Sequence, residues 1–195
     1  NYDSAIPVLK QLESEAEFPQ NTTYAQSNLM KSYYEKQDFT NAVIYADKVL
    51  KNDKIDDRIK SDAQIIVARS AIKTNDEAKA KEAYAKLQKI AKGELAAEAL
   101  YYDAYFKNKE GKFEPSNVVV QKIAQDYSGY KYYGAKSLVI MAKNFYGLKD
   151  SFQATYILES VIENFKEYTD VIEEAQKELD FIKGEEAKRN SSITN

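Results

Sequence analysis

SNLMKSYYEKQDFTNAVIYADKVLK, residues 27–51, decides how the rest of the chain is read. Leu29, Met30 and Tyr33 recur at helical spacing, and so do Val43, Ala46, Val49 and Leu50, which predicts two amphipathic helices joined by a short polar turn. The same plan returns in IIVARSAIKTNDEAKAKEAYAKLQK, residues 65–89, and in LYYDAYFKNKEGKFEPSNVVVQKIA, residues 100–124. When the segments are aligned, the small residue that opens the second helix falls at Ala5, Ala42, Ala80, Ser116 and Ala154. Those intervals are 37, 38, 36 and 38 residues. A period in that range predicts helical hairpins stacked side by side as a solenoid.

Composition agrees with an all-α chain. Only six glycines and three prolines punctuate 195 residues, and 44% of the residues are hydrophobic, enough for a continuous core. There is no cysteine and no histidine, so disulfides, thiolate or imidazole metal sites, a cysteine nucleophile and a Ser-His-Asp triad are all excluded. Glu and Lys occur mainly in helical surface patterns, which read as solvated faces and not as a catalytic pair. Neither an enzyme nor a cofactor or metal protein is expected. With 28 basic against 31 acidic residues the net charge is −3, which supplies no positive field for nucleic acid. The longest apolar runs, such as Ile65 to Ala68, fall far short of the roughly 18 residues that a membrane span requires.

The repeated positions resemble the tetratricopeptide repeat family. In the first full repeat the family's pattern corresponds to Leu29, Met30, Tyr33, Ala42, Ala46 and Val49, with Phe39 in the turn, and in the second to Val67, Ala68, Ala71, Ala80, Tyr84 and Leu87. The third offers Ala104, Gly111, Phe113, Ser116 and Ile123, and the fourth Ala142, Phe145, Ala154, Leu158 and Val161. Lys107 stands where the third repeat should carry an aromatic, and the period exceeds the family's usual length of about 34. The longer period and the aromatic-rich junctions QDYSGYKYYGAKSL and EFPQNTTYAQSNL look like tetratricopeptide proteins of bacterial cell envelopes, of the outer-membrane assembly lipoprotein and Tol-Pal-associated coordinator type. The resemblance implies a right-handed superhelical solenoid, a protein or peptide partner, and a periplasmic or outer-membrane-associated setting.

On this register, residues 1–19 are the second helix of a truncated repeat, with Tyr2, Ala5, Leu9 and Leu12 on one face and Pro19 as its stop. Residues 20–183 hold four hairpins, at about 23–56, 61–93, 97–128 and 134–166, followed by a capping helix over 169–183. Residues 184–195 lose periodicity and read as a disordered tail.

In such a solenoid the first helices line the concave face, where an extended or helical segment of a partner is expected to lie. The positions assigned to that face include Tyr24, Lys31, Tyr34, Arg69, Lys73, Tyr101, Tyr105, Lys143 and Tyr146, with Ile65, Ile72, Asn108 and Val139 among them. Tyrosine and arginine are enriched at binding hot spots because they join large contact area to directional hydrogen bonding. Asn28, Lys31, Arg69 and Lys73 are the residue types of a carboxylate clamp, but their spacing does not reproduce one. NDKIDD, residues 52–57, lacks the glycine and distal glutamate of a calcium loop and reads as a polar turn, and NKEGK, residues 108–112, lacks the framework of a phosphate loop. The alternative to a groove binder is a structural module that self-associates through the uncovered apolar face of residues 1–19.

Overall fold

In the computed structural model, which describes residues 2–193, one turn is built four times. Gln37, Asn75, Gly111 and Lys149 take left-handed φ values of 60°, 57°, 72° and 70°. In each turn this residue's N–H donates three residues back and the next N–H donates five back. Gln37 bonds to Tyr34 and Asp38 to Tyr33, Asn75 to Ile72 and Asp76 to Ala71, Gly111 to Asn108 and Lys112 to Lys107, Lys149 to Tyr146 and Asp150 to Phe145. These bonds satisfy the last carbonyls of one helix, and the next residue starts another. The carboxylates of Asp38, Asp76 and Asp150 accept the N–H groups of Asn41, Lys79 and Gln153 as N-caps. Only Gly111 adopts this backbone without a Cβ penalty. Lys149→Gly is therefore expected to raise stability by about 0.5–1 kcal/mol and Gly111→Ala to lower it by about as much, both read from urea denaturation.

The elements are α1 (Tyr2–Glu15), α2 (Pro19–Glu35), α3 (Phe39–Leu50), α4 (Asp57–Lys73), α5 (Glu77–Leu87), α6 (Gly93–Lys109), α7 (Phe113–Asp126), α8 (Lys131–Gly147), α9 (Ser151–Asn164) and α10 (Thr169–Ile193). Among the described residues there is no strand. The four first helices, α2, α4, α6 and α8, are each 17 residues long. They begin three or four residues before the expected starts, at 19, 57, 93 and 131. Pro19 does not end α1. It occupies the start of α2, where its missing N–H costs nothing. Residues 184–193 continue α10 where a disordered tail was expected, while residues 1, 194 and 195 of the expected end segments lie outside the described residues.

The chain divides into two units, Asn1–Ala99 and Leu100–Asn195. In the first, α1 packs on α2, α2 on α3, α3 on α4 and α4 on α5, around Leu29, Met30, Val49, Tyr84 and Leu87. In the second, α7 packs on α8, α8 on α9 and α9 on α10, around Val120, Ile123, Val139, Ile140, Leu158, Val161 and Ile182. Each such buried side chain contributes about 1.5–3 kcal/mol relative to exposure. Of the small residues that set the repeat register, Ala42, Ala80, Ser116 and Ala154 are fully buried, so the paired helices approach closely there, while Ala5 is half-buried. Gly147, at the end of α8, has its missing side chain replaced by the ring of Phe113, which any Cβ would strike.

α1 is fastened differently. It buries no residue completely, and Glu13 ties it to its neighbours by accepting from Lys48 Nζ at 2.8 Å and Gln26 Nε2 at 2.9 Å. Burial pushes the Glu13 carboxyl up, but those hydrogen bonds and the Lys48 charge outweigh it and hold the group below its ordinary value. A depressed folded-state pKa contributes stability above the unfolded value, and that contribution is lost as pH falls through the folded one. Acid should therefore loosen α1 first. Measured as urea stability across the acid range, Glu13→Gln is expected to flatten the pH dependence.

No helix among the described residues is long and apolar enough to cross a membrane.

Candidate functional site

The N-terminal halves of α2 and α4 and the connection between α3 and α4 line a common hollow. Asn52 fixes this connection, donating from Nδ2 to Thr23 Oγ1 on α2 at 2.9 Å and accepting the Lys54 N–H at 3.0 Å. The result is a cleft of about 620 Å³ whose floor is apolar, formed by Met30, Ile55 and Ile59. Tyr24 stands on its wall with 61% of its surface exposed. Ser27 Oγ also lines the cleft, buried and without a hydrogen-bond partner. Lys31 and Asp62 pair across the opening at 2.6 Å, and Lys54 and Arg58 sit on the rim. An apolar floor with a few polar groups converging on it is the usual anatomy of a binding site.

Of the residues assigned to the binding face, the structure brings Tyr24 and Lys31 together here. The others lie elsewhere. Tyr34 is half-buried with its ring edge-on to Phe39, and burial pushes its hydroxyl pKa up. Lys73 is exposed at the end of α4. Tyr101 is not exposed. It is buried among Tyr102, Tyr105 and Tyr133 with Lys136 Nζ 5.1 Å from its ring centre, and burial pushes its hydroxyl well above the usual range. Tyr105 is half-buried in the same cluster, beneath Lys109. Tyr146 packs edge-on to Phe181. Ile65 and Val139, also expected on the open face, are buried.

Three cations expected to meet a ligand are engaged within the fold instead. Each pairs with an acid on the first helix of the following hairpin, or on α10, 29 or 31 residues ahead. Lys31 on α2 reaches Asp62 on α4. Arg69 on α4 makes a two-pronged contact with Glu98 on α6, Nε to Oε1 at 2.9 Å and Nη2 to Oε2 at 2.5 Å, while the Tyr84 hydroxyl donates to Glu98 Oε1 at 2.9 Å. Lys143 on α8 lies 2.7 Å from Glu174 and 3.2 Å from Glu178 on α10. Burial pulls the Lys143 ammonium down, but the two carboxylates outweigh it and raise its pKa. These pairs staple neighbouring hairpins, and the residue types that mark hot spots also serve that purpose.

Sequence reasoning passed over the cleft's other wall. Residues 52–57 read as a polar turn, yet Ile55 in that turn is buried and forms part of the floor. One signal was available. Arg58 occupies the first turn of α4, the positive end of the helix dipole, where a cation lowers helix stability and so calls for another reason to be there.

Compared with known protein families and with curated proteins, the chain matches none: no family model fits it and no curated protein resembles it in sequence.

Proposed function

We propose that the chain is a non-catalytic protein-interaction module of the tetratricopeptide type, a right-handed superhelix of helical hairpins that holds a peptide or helical segment of a partner against its first helices. The observation that carries this reading is the cleft between α2 and α4, with an apolar floor, an exposed tyrosine and an unpartnered buried hydroxyl. Capture there needs no bond chemistry, only burial of an apolar side chain and satisfaction of the Ser27 hydroxyl. The bacterial-envelope setting belongs to the same proposal and rests on the resemblance of the aromatic-rich junctions.

The test is selection of displayed random peptides on the intact chain and on Tyr24→Ala. Because Tyr24 is exposed, the variant should keep its helical content and thermal midpoint. Enrichment by the unmodified chain that disappears with Tyr24→Ala is the expected result. No enrichment, or equal enrichment by both, contradicts the reading.

Self-association is the second reading, favoured by α1, on which Tyr2 and Val8 are 46% and 65% exposed, although Ala5, Leu9 and Leu12 of the expected face are half-buried as α1 packs on α2. Sedimentation velocity over a concentration series separates the two. A mass that rises with concentration and returns to monomer with Val8→Lys supports the second reading, and a constant monomer mass favours the first.

A further inference from the structure

We propose that the α2–α4 cleft selects segments in which a large apolar side chain is flanked by carboxylates, a specificity that rests on the binding function proposed above. Positive charge is left over around the cleft. Asp62 is engaged by Lys31, and Asp56 is committed to capping α4 by accepting the Ile59 N–H at 2.8 Å. Lys54 and Arg58 are exposed and have no acid within ion-pair distance among the described residues. Lys31, Lys54 and Arg58 against Asp56 and Asp62 leave the cleft lining with a surplus of one positive charge above an apolar floor.

The charge continues past the first cleft. A second hollow of about 310 Å³ lies between the start of α4 and residues 90–95, lined by Ile90 and Leu95 and sharing Arg58 and Asp62 with the first. Lys92 stands at this hollow, exposed and likewise unpaired among the described residues. Its remaining acid, Asp57, sits in the first turn of α4, against the positive end of that helix. An extended segment lying across the two hollows would place one apolar residue in each and pass Arg58 between them. Lys54, Arg58 and Lys92 then face the segment's intervening side chains, and a carboxylate at those points gains what a lysine would lose.

Three fluorescent peptides, acetylated and amidated to remove terminal charge, share a core of alternating Phe and Ile, with Glu, Gln or Lys between and beside the apolar residues. Binding is read by anisotropy at low and physiological salt. The Glu peptide is expected to bind about tenfold more tightly than the Gln peptide at low salt, and the gap should narrow as salt rises. Arg58→Glu, an exposed change that should leave the circular dichroism spectrum intact, is expected to remove that preference, and Tyr24→Ala to weaken all binding. If the Gln peptide binds as tightly as the Glu peptide and remains sensitive to Tyr24→Ala, the charge inference is overturned while the binding function stands. Preference for the Lys peptide, or a Glu preference unaffected by Arg58→Glu, overturns it too. If no peptide binds the unmodified chain, both the inference and the function beneath it fail.

Discussion

Replacing Arg69 with alanine is expected to destabilise the unit Asn1–Ala99 by about 3 kcal/mol, read as a lower urea midpoint at unchanged slope. The reason lies in its partner more than in itself. The Glu98 side chain is only 3% exposed, while that of Arg69 is 39% exposed, so removing the guanidinium leaves a buried carboxylate without its two-pronged counter-charge. The Tyr84 hydroxyl still donates to it, but a neutral hydroxyl does not offset a buried charge. Arg69→Leu combined with Glu98→Leu and Tyr84→Phe should recover much of the loss, because apolar replacements avoid burying a charge and take away the hydroxyl that donated to Glu98. A loss from Arg69→Ala below about 0.5 kcal/mol would show that the pair behaves like an exposed one.

Asn144→Leu is expected to cost the unit Leu100–Asn195 about 2 kcal/mol although leucine keeps the branched shape of the amide side chain. Asn144 is completely buried and uses both ends of its amide. Oδ1 accepts from Asn108 Nδ2 at 2.7 Å, and Nδ2 donates to Asn117 Oδ1 at 2.8 Å. Leucine breaks both bonds and puts an apolar group against two amides that are partly out of water. Urea denaturation gives the loss, and adding Asn108→Leu should cost less than the sum of the two single changes, since they share one bond.

The repeat was legible in the sequence because its period is set by turns and small residues whose reasons are local. A left-handed residue followed by a helix cap gives Gln37-Asp38, Asn75-Asp76, Gly111-Lys112 and Lys149-Asp150, each closing a hairpin in the same way. Ala42, Ala80 and Ala154 mark where two helices touch. Which side of each first helix faces solvent was not legible. A helix buried by its own hairpin partner and by neighbouring first helices hides far more than one apolar stripe. In α4 every residue from Gln64 to Ala68 is buried, so periodicity no longer separates an inner face from an outer one. Tyr101 was misplaced for this reason.

The end of α10 escaped for a different reason. Gly184 and the polar run after it carry no apolar pattern, yet Lys183 pairs with Glu159 at 2.8 Å and Glu186 accepts from Ser151 at 2.8 Å, both on α9. Lys188 adds a pair with Glu185 along the helix itself. An ion pair between residues 24 apart and a hydrogen bond between residues 35 apart leave no mark in a local window. The candidate cleft was half legible: its exposed tyrosine and one lysine were marked by residue type, but part of its floor, Ile55, comes from a turn of polar composition.

The central claim is that a partner segment is held between α2 and α4. Its most direct measurement is the amide proton–nitrogen spectrum of the chain during titration with the peptide most enriched in selection. Expected are saturable shifts confined to the first half of α2, residues 52–56 and the first turns of α4, with Ser27 and Tyr24 among the largest. Shifts centred on the tyrosine cluster of residues 101–105 or on α1, or no saturable shift at all, would contradict the claim.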